Sequence, residues 1–211
     1  MEDVSVSNAR PILMHQSRVQ EDMMAALHQL HVQLPISGRG NAEITLVNWG
    51  SRDQVTDVQW QHIALGDSMT ISFNEQDSVV FSGEITAIEE RYGEGTPMLV
   101  LLVEDKMHLL AKNRQSQVYE DRSPDEVIAS IASAQGIQTD IDISTISADW
   151  NQLNETDYNF IQRLISRWDL SARIVDGDTL RIKPEQPDSE PFPVSPQSNA
   201  LKIRLIADLN H

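Results

Sequence analysis

At 211 residues, with 32 acidic against 16 basic side chains and a formal net charge of -16, the chain has room for one large or two small self-sufficient cores. That charge excludes a general affinity for nucleic acid or an anionic membrane, because both need a basic surface. Cysteine is absent, which excludes disulfide and thiolate-metal chemistry.

The N-terminus, MEDVSVSNARP, is acidic and polar, without the charged-then-apolar layout of a secretion signal. No apolar run approaches the length of a membrane span. Composition therefore predicts a soluble product, made and kept in the cytosol.

Up to about Gln117 the chain reads mostly as strands. Ala42 to Gly50 alternates and stops at the glycine, and Ser68 to Phe73 follows. Val79 to Glu89 comes next, and Gly93-Glu94-Gly95 turns it into Met98 to Val103. That last run is apolar on both faces, so it belongs in the middle of an assembly. Lys106 to Leu110 is expected to form a helical turn closing this part.

From Ser123 the signals become helical. Ser123-Pro124-Asp125-Glu126 combines an N-cap, proline at the first helical position and a capping-box glutamate. Val127, Ile128, Ile131 and Ala132 make the buried stripe, and Gly136 is placed to end the helix in a left-handed cap. Gln138 to Ile143 reads as a short strand. Thr156 then caps a second helix whose Phe160, Ile161, Leu164, Ile165 and Trp168 fall on one face. After Asp169 the period drops to two, and Asp176-Gly177 supplies a two-residue hairpin turn before Thr179 to Ile182. Helix, strand, helix and hairpin make a compact α+β unit. Between Pro184 and Pro196 lie five of the nine prolines, together with Glu185, Asp188 and Glu190, a linker composition. Ala200 to Ile206 alternates again as a strand, with no partner left in the sequence.

Chemistry-bearing motifs are few. His28 and His31 have a spacing that ligates a metal only on a helix, and no acid nearby completes a shell; an edge-strand pair is the plainer reading. Asp140 and Asp142 point the same way on a strand, a geometry open to a cation or to acid-base work, but also common on a solvated edge in an acidic chain. Gly38-Arg39-Gly40 is too short for a phosphate cradle and reads as a turn entering the strand at Ala42. Trp49, Trp60, Trp150 and Trp168 each sit in or beside an apolar pattern, where core packing is expected rather than sugar stacking. No hydrolase elbow, zinc-protease, P-loop or dinucleotide fingerprint occurs. The sequence thus offers no catalytic, cofactor-binding or metal-binding residue.

Taken in order, these pieces resemble the phage late control gene D family, the baseplate hub proteins of contractile tails, related to the VgrG spike proteins of type VI secretion. The resemblance is carried by Asn48-Trp49-Gly50, by Phe81-Ser82-Gly83-Glu84-Ile85-Thr86-Ala87-Ile88-Glu89 and by the Met107-His108-Leu109-Leu110 turn. It continues through Tyr119 to Gly136, then Asn154 to Leu164, and closes on Asp178 to Ile182; these last two segments are the most specific.

The resemblance implies an α+β fold: a small tube-type antiparallel β-barrel over residues 1–118, followed by a small α+β domain over 119–183. A Pro-rich acidic linker over 184–199 and the first strand of a second, incomplete barrel over 200–211 would complete the chain. It implies a structural hub that adapts the sixfold tail tube to the threefold spike, with tube and spike proteins as partners and a trimer in the full-length hub. No membrane, sequence-specific nucleic acid or cofactor is implied. The place would be the cytoplasm during assembly and then the tail or injection particle, and the acidic charge would suit a conduit. A second reading, from another class, is a baseplate-associated cell-wall hydrolase or glycan-binding domain. It requires a cleft lined by acids or exposed tryptophans.

Overall fold

The computed structural model describes residues 10–52, 55–57, 60–73, 79–93, 95–143 and 146–184. The Pro-rich segment past Pro184 and the strand expected from Ala200 lie outside the described residues.

The first part is a seven-stranded antiparallel sheet. Its strands are β1 (Pro11–His15), β2 (Arg18–Val19), β3 (Leu27–Gln33), β4 (Asn41–Val47), β7 (Ser68–Phe73), β8 (Val79–Arg91) and β9 (Met98–Glu104). A separate hairpin, β5 (Gly50–Arg52) with β6 (Val55–Asp57), lies between β4 and β7. The sheet order is β2-β1-β7-β8-β9-β4-β3, so the sheet is not closed: β2 and β3 are its two edges. The chain crosses from one edge to the other through helix α1 (Glu21–Ala26). That helix touches both β1 and β4, strands from opposite halves of the sheet. The sheet therefore curls until one short helix bridges its seam, with Met23 of α1 fully buried in the core.

Alternation decides which side chains fill that core. Ala42, Ile44 and Leu46 of β4 point inward and pair with Val103, Leu101 and Leu99 of β9. Leu13, Met69, Ile71, Phe81 and Ile85 join them from β1, β7 and β8. The expected two-faced character of β9 is present: Val100 is buried yet lies outside this core cluster. Between β1 and β2 the turn places Gln16 and Ser17 at φ 48° and 62°, the backbone of a tight hairpin turn without glycine.

The second part begins at α2 (Met107–Leu110), whose Met107 and Leu110 pack in a second core rather than the first. Helix α3 (Pro124–Ala134) starts as its sequence requires. Glu126 accepts the Ser123 backbone N–H at 3.2 Å, and Gly136 ends the helix at φ 67°. Helix α4 (Asp157–Ile165) is capped by Thr156, whose hydroxyl accepts the Asn159 N–H at 3.2 Å. Phe160, Ile161, Leu164 and Ile165 form its buried face, and Phe160 stacks on Tyr119 with ring centroids 5.7 Å apart. Trp168, half-buried, lies beyond the helix and packs against the same core.

The hairpin β13 (Leu170–Val175) and β14 (Thr179–Pro184) differs from expectation in its turn. Asp176 and Gly177 both have positive φ, but Val175 pairs with Thr179, so the loop has three residues rather than two. Strand β11 (Gln138–Ile141) is shorter than expected and joins β14 in parallel.

One element has no apolar signature in the sequence. Strand β12 (Ala148–Thr156) pairs with β10 (Arg114–Arg122) as a two-stranded ribbon, with only Trp150 and Gln152 of β12 buried. Polar contacts hold it: the Gln152 amide donates to Asp157 Oδ1 at 2.9 Å and to the Glu155 carbonyl at 3.1 Å. No helix of the described residues is long and apolar enough to cross a membrane.

Candidate functional site

The two cores meet at a junction assembled from four short segments. The first is Leu34 to Gly40, which leaves β3 and reaches across to β13. The Gly38 N–H donates to the Ala172 carbonyl at 2.8 Å, and the Ala172 N–H donates back to the Ser37 hydroxyl at 3.1 Å. Gly38 sits at φ 116°, a backbone state that strongly favours glycine. Arg39 then pairs with Glu104 at 3.3 Å and lies over the Tyr158 ring.

The second segment is Asp105, between β9 and α2. One carboxylate oxygen accepts the Gly40 N–H at 2.6 Å, and the other accepts the Met107 N–H at 2.9 Å. The Asp105 N–H donates to the Gly40 carbonyl, so the two backbones are bracketed in both directions. Burial pushes the Asp105 carboxyl above its ordinary range, against the pull of the Gly40 and Met107 N–H groups. His108 follows one turn later, with Nδ1 2.8 Å from the Asp105 carbonyl and Nε2 3.6 Å from a Glu84 carboxylate oxygen.

The third segment is Phe81 to Glu84. Phe81 fills the first core, and Gly83 lies so close to β9 that an added Cβ would stand 2.3 Å from the Glu104 carbonyl oxygen. The fourth is the β13–β14 turn, where a Cβ on Gly177 would touch the Ser82 side chain at 3.4 Å. Two of the stretches that carry the family resemblance, Phe81 to Glu84 and Met107 to Leu110, thus converge at this junction.

Between the lobes the junction leaves a cleft of about 720 Å³, lined by Leu34, Pro35, Val80, Phe81, Arg173 and Asp105 among others. Its acids are Asp105 and Asp176. Both oxygens of Asp105 are held by backbone N–H groups, which makes it a bracket rather than a proton carrier.

A partly buried pair outside the junction left no signal in the sequence. His15 Nε2 lies 2.8 Å from Asp67 Oδ2, and Asp67 also accepts from the Ala64 N–H at 2.8 Å and the Gln16 amide at 2.7 Å. These contacts, the Ala64 N–H foremost, hold the Asp67 carboxyl below its ordinary range. The His62 ring packs edge-on to His15. The pair ties the 60–67 loop to the β1–β2 turn. No sequence signal links positions 52 residues apart.

The residues weighed in the sequence are dispersed. His28 and His31 both lie exposed in edge strand β3, where the helical ligand spacing does not apply. Asp140 pairs with Lys183 at 2.8 Å and Arg181 at 3.3 Å across the parallel strands, and Lys183 first lowers its carboxyl below the ordinary range. Asp142 is exposed. Among the described residues no group of three or more His, Asp or Glu side chains could hold a metal ion. Trp60 and Trp150 are core residues, donating to the carbonyls of Val47 at 3.1 Å and Arg122 at 2.8 Å. Trp49 corrects the expectation for the tryptophans: it is 55% exposed, because Asn48 takes the inward position past the end of β4.

No curated protein matches the chain. Among solved structures it is similar to a 43 kDa tail protein of prophage MuSo2 from Shewanella oneidensis, with TM-score 0.67 and 13% identity over 82% of this chain and 53% of that one. A tail protein from Neisseria meningitidis gives TM-score 0.65 and 10% identity over 87% of this chain and 52% of that one. An E. coli component of the type VI secretion system gives TM-score 0.54 and 16% identity over 78% of this chain and 51% of that one. These likenesses are of fold, and the chain spans about half the length of each. The model of one family, described as phage tail baseplate hub, matches residues 36–200, from the junction segment through the β4–β9 part of the first core and the whole of the second. The chain therefore belongs to the phage tail baseplate hub family.

Proposed function

We propose that the chain is the N-terminal part of a structural hub subunit, which adapts the sixfold tail tube to the threefold spike of a phage tail or related contractile injection machine. The observation that carries this is the reach of the family match, from residue 36 over the greater part of the first core, the junction and the second core. An adapter transmits geometry, so its parts must hold a fixed relation. The bracket of Gly38, Gly40, Asp105 and Ala172 is the kind of backbone-to-backbone coupling such a role needs. Residues 1–118 would serve as the first barrel unit, its sheet curled but open and its stretch from Met107 packed in the second core; 119–183 would be the supporting α+β domain, 184–199 a linker and 200–211 the opening strand of a second barrel. Three copies of the full-length hub would close the ring, with tube protein on one side and spike on the other. The subunit would work without catalysis or cofactor, assembled in the cytoplasm and then carried in the particle.

Removing the gene from a producing strain tests this. Tail tubes without an attached spike are expected, restored by the intact gene. Normal tails that fail only to open the cell wall would favour the hydrolase reading.

A further inference from the structure

The cleft between the two lobes presents apolar side chains to solvent. Leu34, Val79 and Val80 all line it and are 58%, 52% and 39% exposed. Arg173 of β13 lines it as well and makes no ion pair among the described residues, whereas Arg39, Arg91, Arg163, Arg181 and Lys183 each have a carboxylate partner. Neither acid of the cleft answers it. Both oxygens of Asp105 accept backbone N–H groups, and Asp176 makes no ion pair among the described residues. Apolar walls around an unanswered guanidinium fit an extended segment that carries both apolar side chains and carboxylates.

The chain itself holds such a segment. From Glu185 to Pro196 the sequence is EQPDSEPFPVSP, with three acids, no Lys or Arg, and Phe192 and Val194 set between prolines. Its start is anchored close by: Pro184 pairs with Leu170 at one end of the β13–β14 hairpin, and Arg173 lies three residues further along, roughly 10 Å at the rise of a strand. From Pro184 back to the turn at the cleft is roughly 17 Å on the same rise. Proline favours the extended polyproline backbone at about 3.1 Å per residue, so the stretch from Glu185 to Phe192 spans about 25 Å, enough to return along the hairpin.

We propose that residues 185–196 dock in this cleft, with Phe192 and Val194 against Leu34, Val80 and Phe81 and the carboxylates around Arg173, strapping the two lobes together. Tethering selects this occupant. A free acidic peptide or a second copy approaches against a net charge of -16, whereas a tethered segment is present at an effective concentration on the order of mM. The strap stands apart from the hub reading, because a hub whose linker lies elsewhere refutes the strap alone.

The absence of cysteine allows a clean test on the 211-residue chain. In a glutathione redox buffer, Leu34→Cys with Val194→Cys, or Val80→Cys with Val194→Cys, should close a disulfide within one chain. Its effective concentration should be about tenfold or more above that of Leu153→Cys with Val194→Cys, position 153 being exposed on β12 outside the cleft. Adding Phe192→Ser or Arg173→Glu should each bring the cleft value down toward the Leu153 value, and raised salt should reproduce the loss from Arg173→Glu. Cleft pairs that close no more readily than the Leu153 pair overturn the proposal, as does a preference that survives Phe192→Ser or Arg173→Glu. Disulfides that form only between chains, seen as doubled mass on a non-reducing gel, would give the cleft to a second copy and overturn it too.

Discussion

The two cores differ in the reach of their strand pairings. The first combines local hairpins, β3–β4, β7–β8 and β8–β9, with two pairings, β1–β7 and β4–β9, that span 50 residues or more. The second has one local unit, α4 leading directly into the β13–β14 hairpin, while β10–β12 and β11–β14 join segments about 26 to 42 residues apart. Local units nucleate with little loop-closure cost, whereas long-range pairings must bear that cost before they gain contacts. The local hairpins of both cores, with α4 beside one of them, are thus the natural early units, and the β1–β7 and β4–β9 pairings the late ones.

Breaking the second core should have the largest effect. Phe160 is fully buried and stacked on Tyr119, so Phe160→Ala should cost about 3 to 5 kcal/mol through the cavity it leaves. Urea unfolding followed by tryptophan fluorescence measures this. Because Trp60 reports the first core and Trp150 the second, it also shows whether the two melt together. A loss under about 1 kcal/mol would contradict the packing described for α4.

Gly83→Ala probes the first core where β8 meets β9. The new methyl group would collide with the backbone of Glu104, which cannot rotate away. A loss of about 1 to 3 kcal/mol is expected from overpacking alone, with early loss of the signal from Trp60. Equal stability to the parent would mean that β8 and β9 can separate without consequence.

How much of this was legible from the residues follows the same division. The caps of α3 and α4, the stripe from Phe160 to Ile165 and the Asp176-Gly177 turn are local signals, and each lies where the spacing placed it. β12 escaped because Gln152 and Asp157 support it through polar contacts that leave no alternation to read. The turn loop length escaped because it depends on the pairing of Val175 with Thr179, not on the two residues that permit it. At the junction, Gly38-Arg39-Gly40 reads as a turn, but its partners Asp105 and Ala172 lie 65 and more residues away. The family motif pointed to Phe81 to Glu84 without the reason, which is the close approach of Gly83 to Glu104.

A smaller effect concerns acid. The Asp67 carboxyl is held below its ordinary range in the folded chain, so it contributes stability above that range and loses it as pH falls through the lowered value. Melting temperatures measured from about pH 6 down to about pH 3 should fall, and Asp67→Asn should lower the starting value while flattening that part of the fall. An identical slope in the variant would remove Asp67 from the account. Least of all, Asp140→Asn should leave the urea midpoint of unfolding unchanged, since its pairs with Lys183 and Arg181 are solvent-exposed. Added zinc or calcium should leave the melting temperature of the parent unchanged, and a rise that grows with metal concentration would restore a metal site to Asp140 and Asp142.

The central claim is that this chain is part of a threefold hub rather than a sixfold tube, and molar mass by light scattering tests it most directly. Residues 1–211 alone should be monomeric or weakly and concentration-dependently associated, while a chain extended through a second barrel should form a trimer. A stable closed hexamer from the 211 residues would contradict the account, because one barrel per subunit would then suffice for a ring.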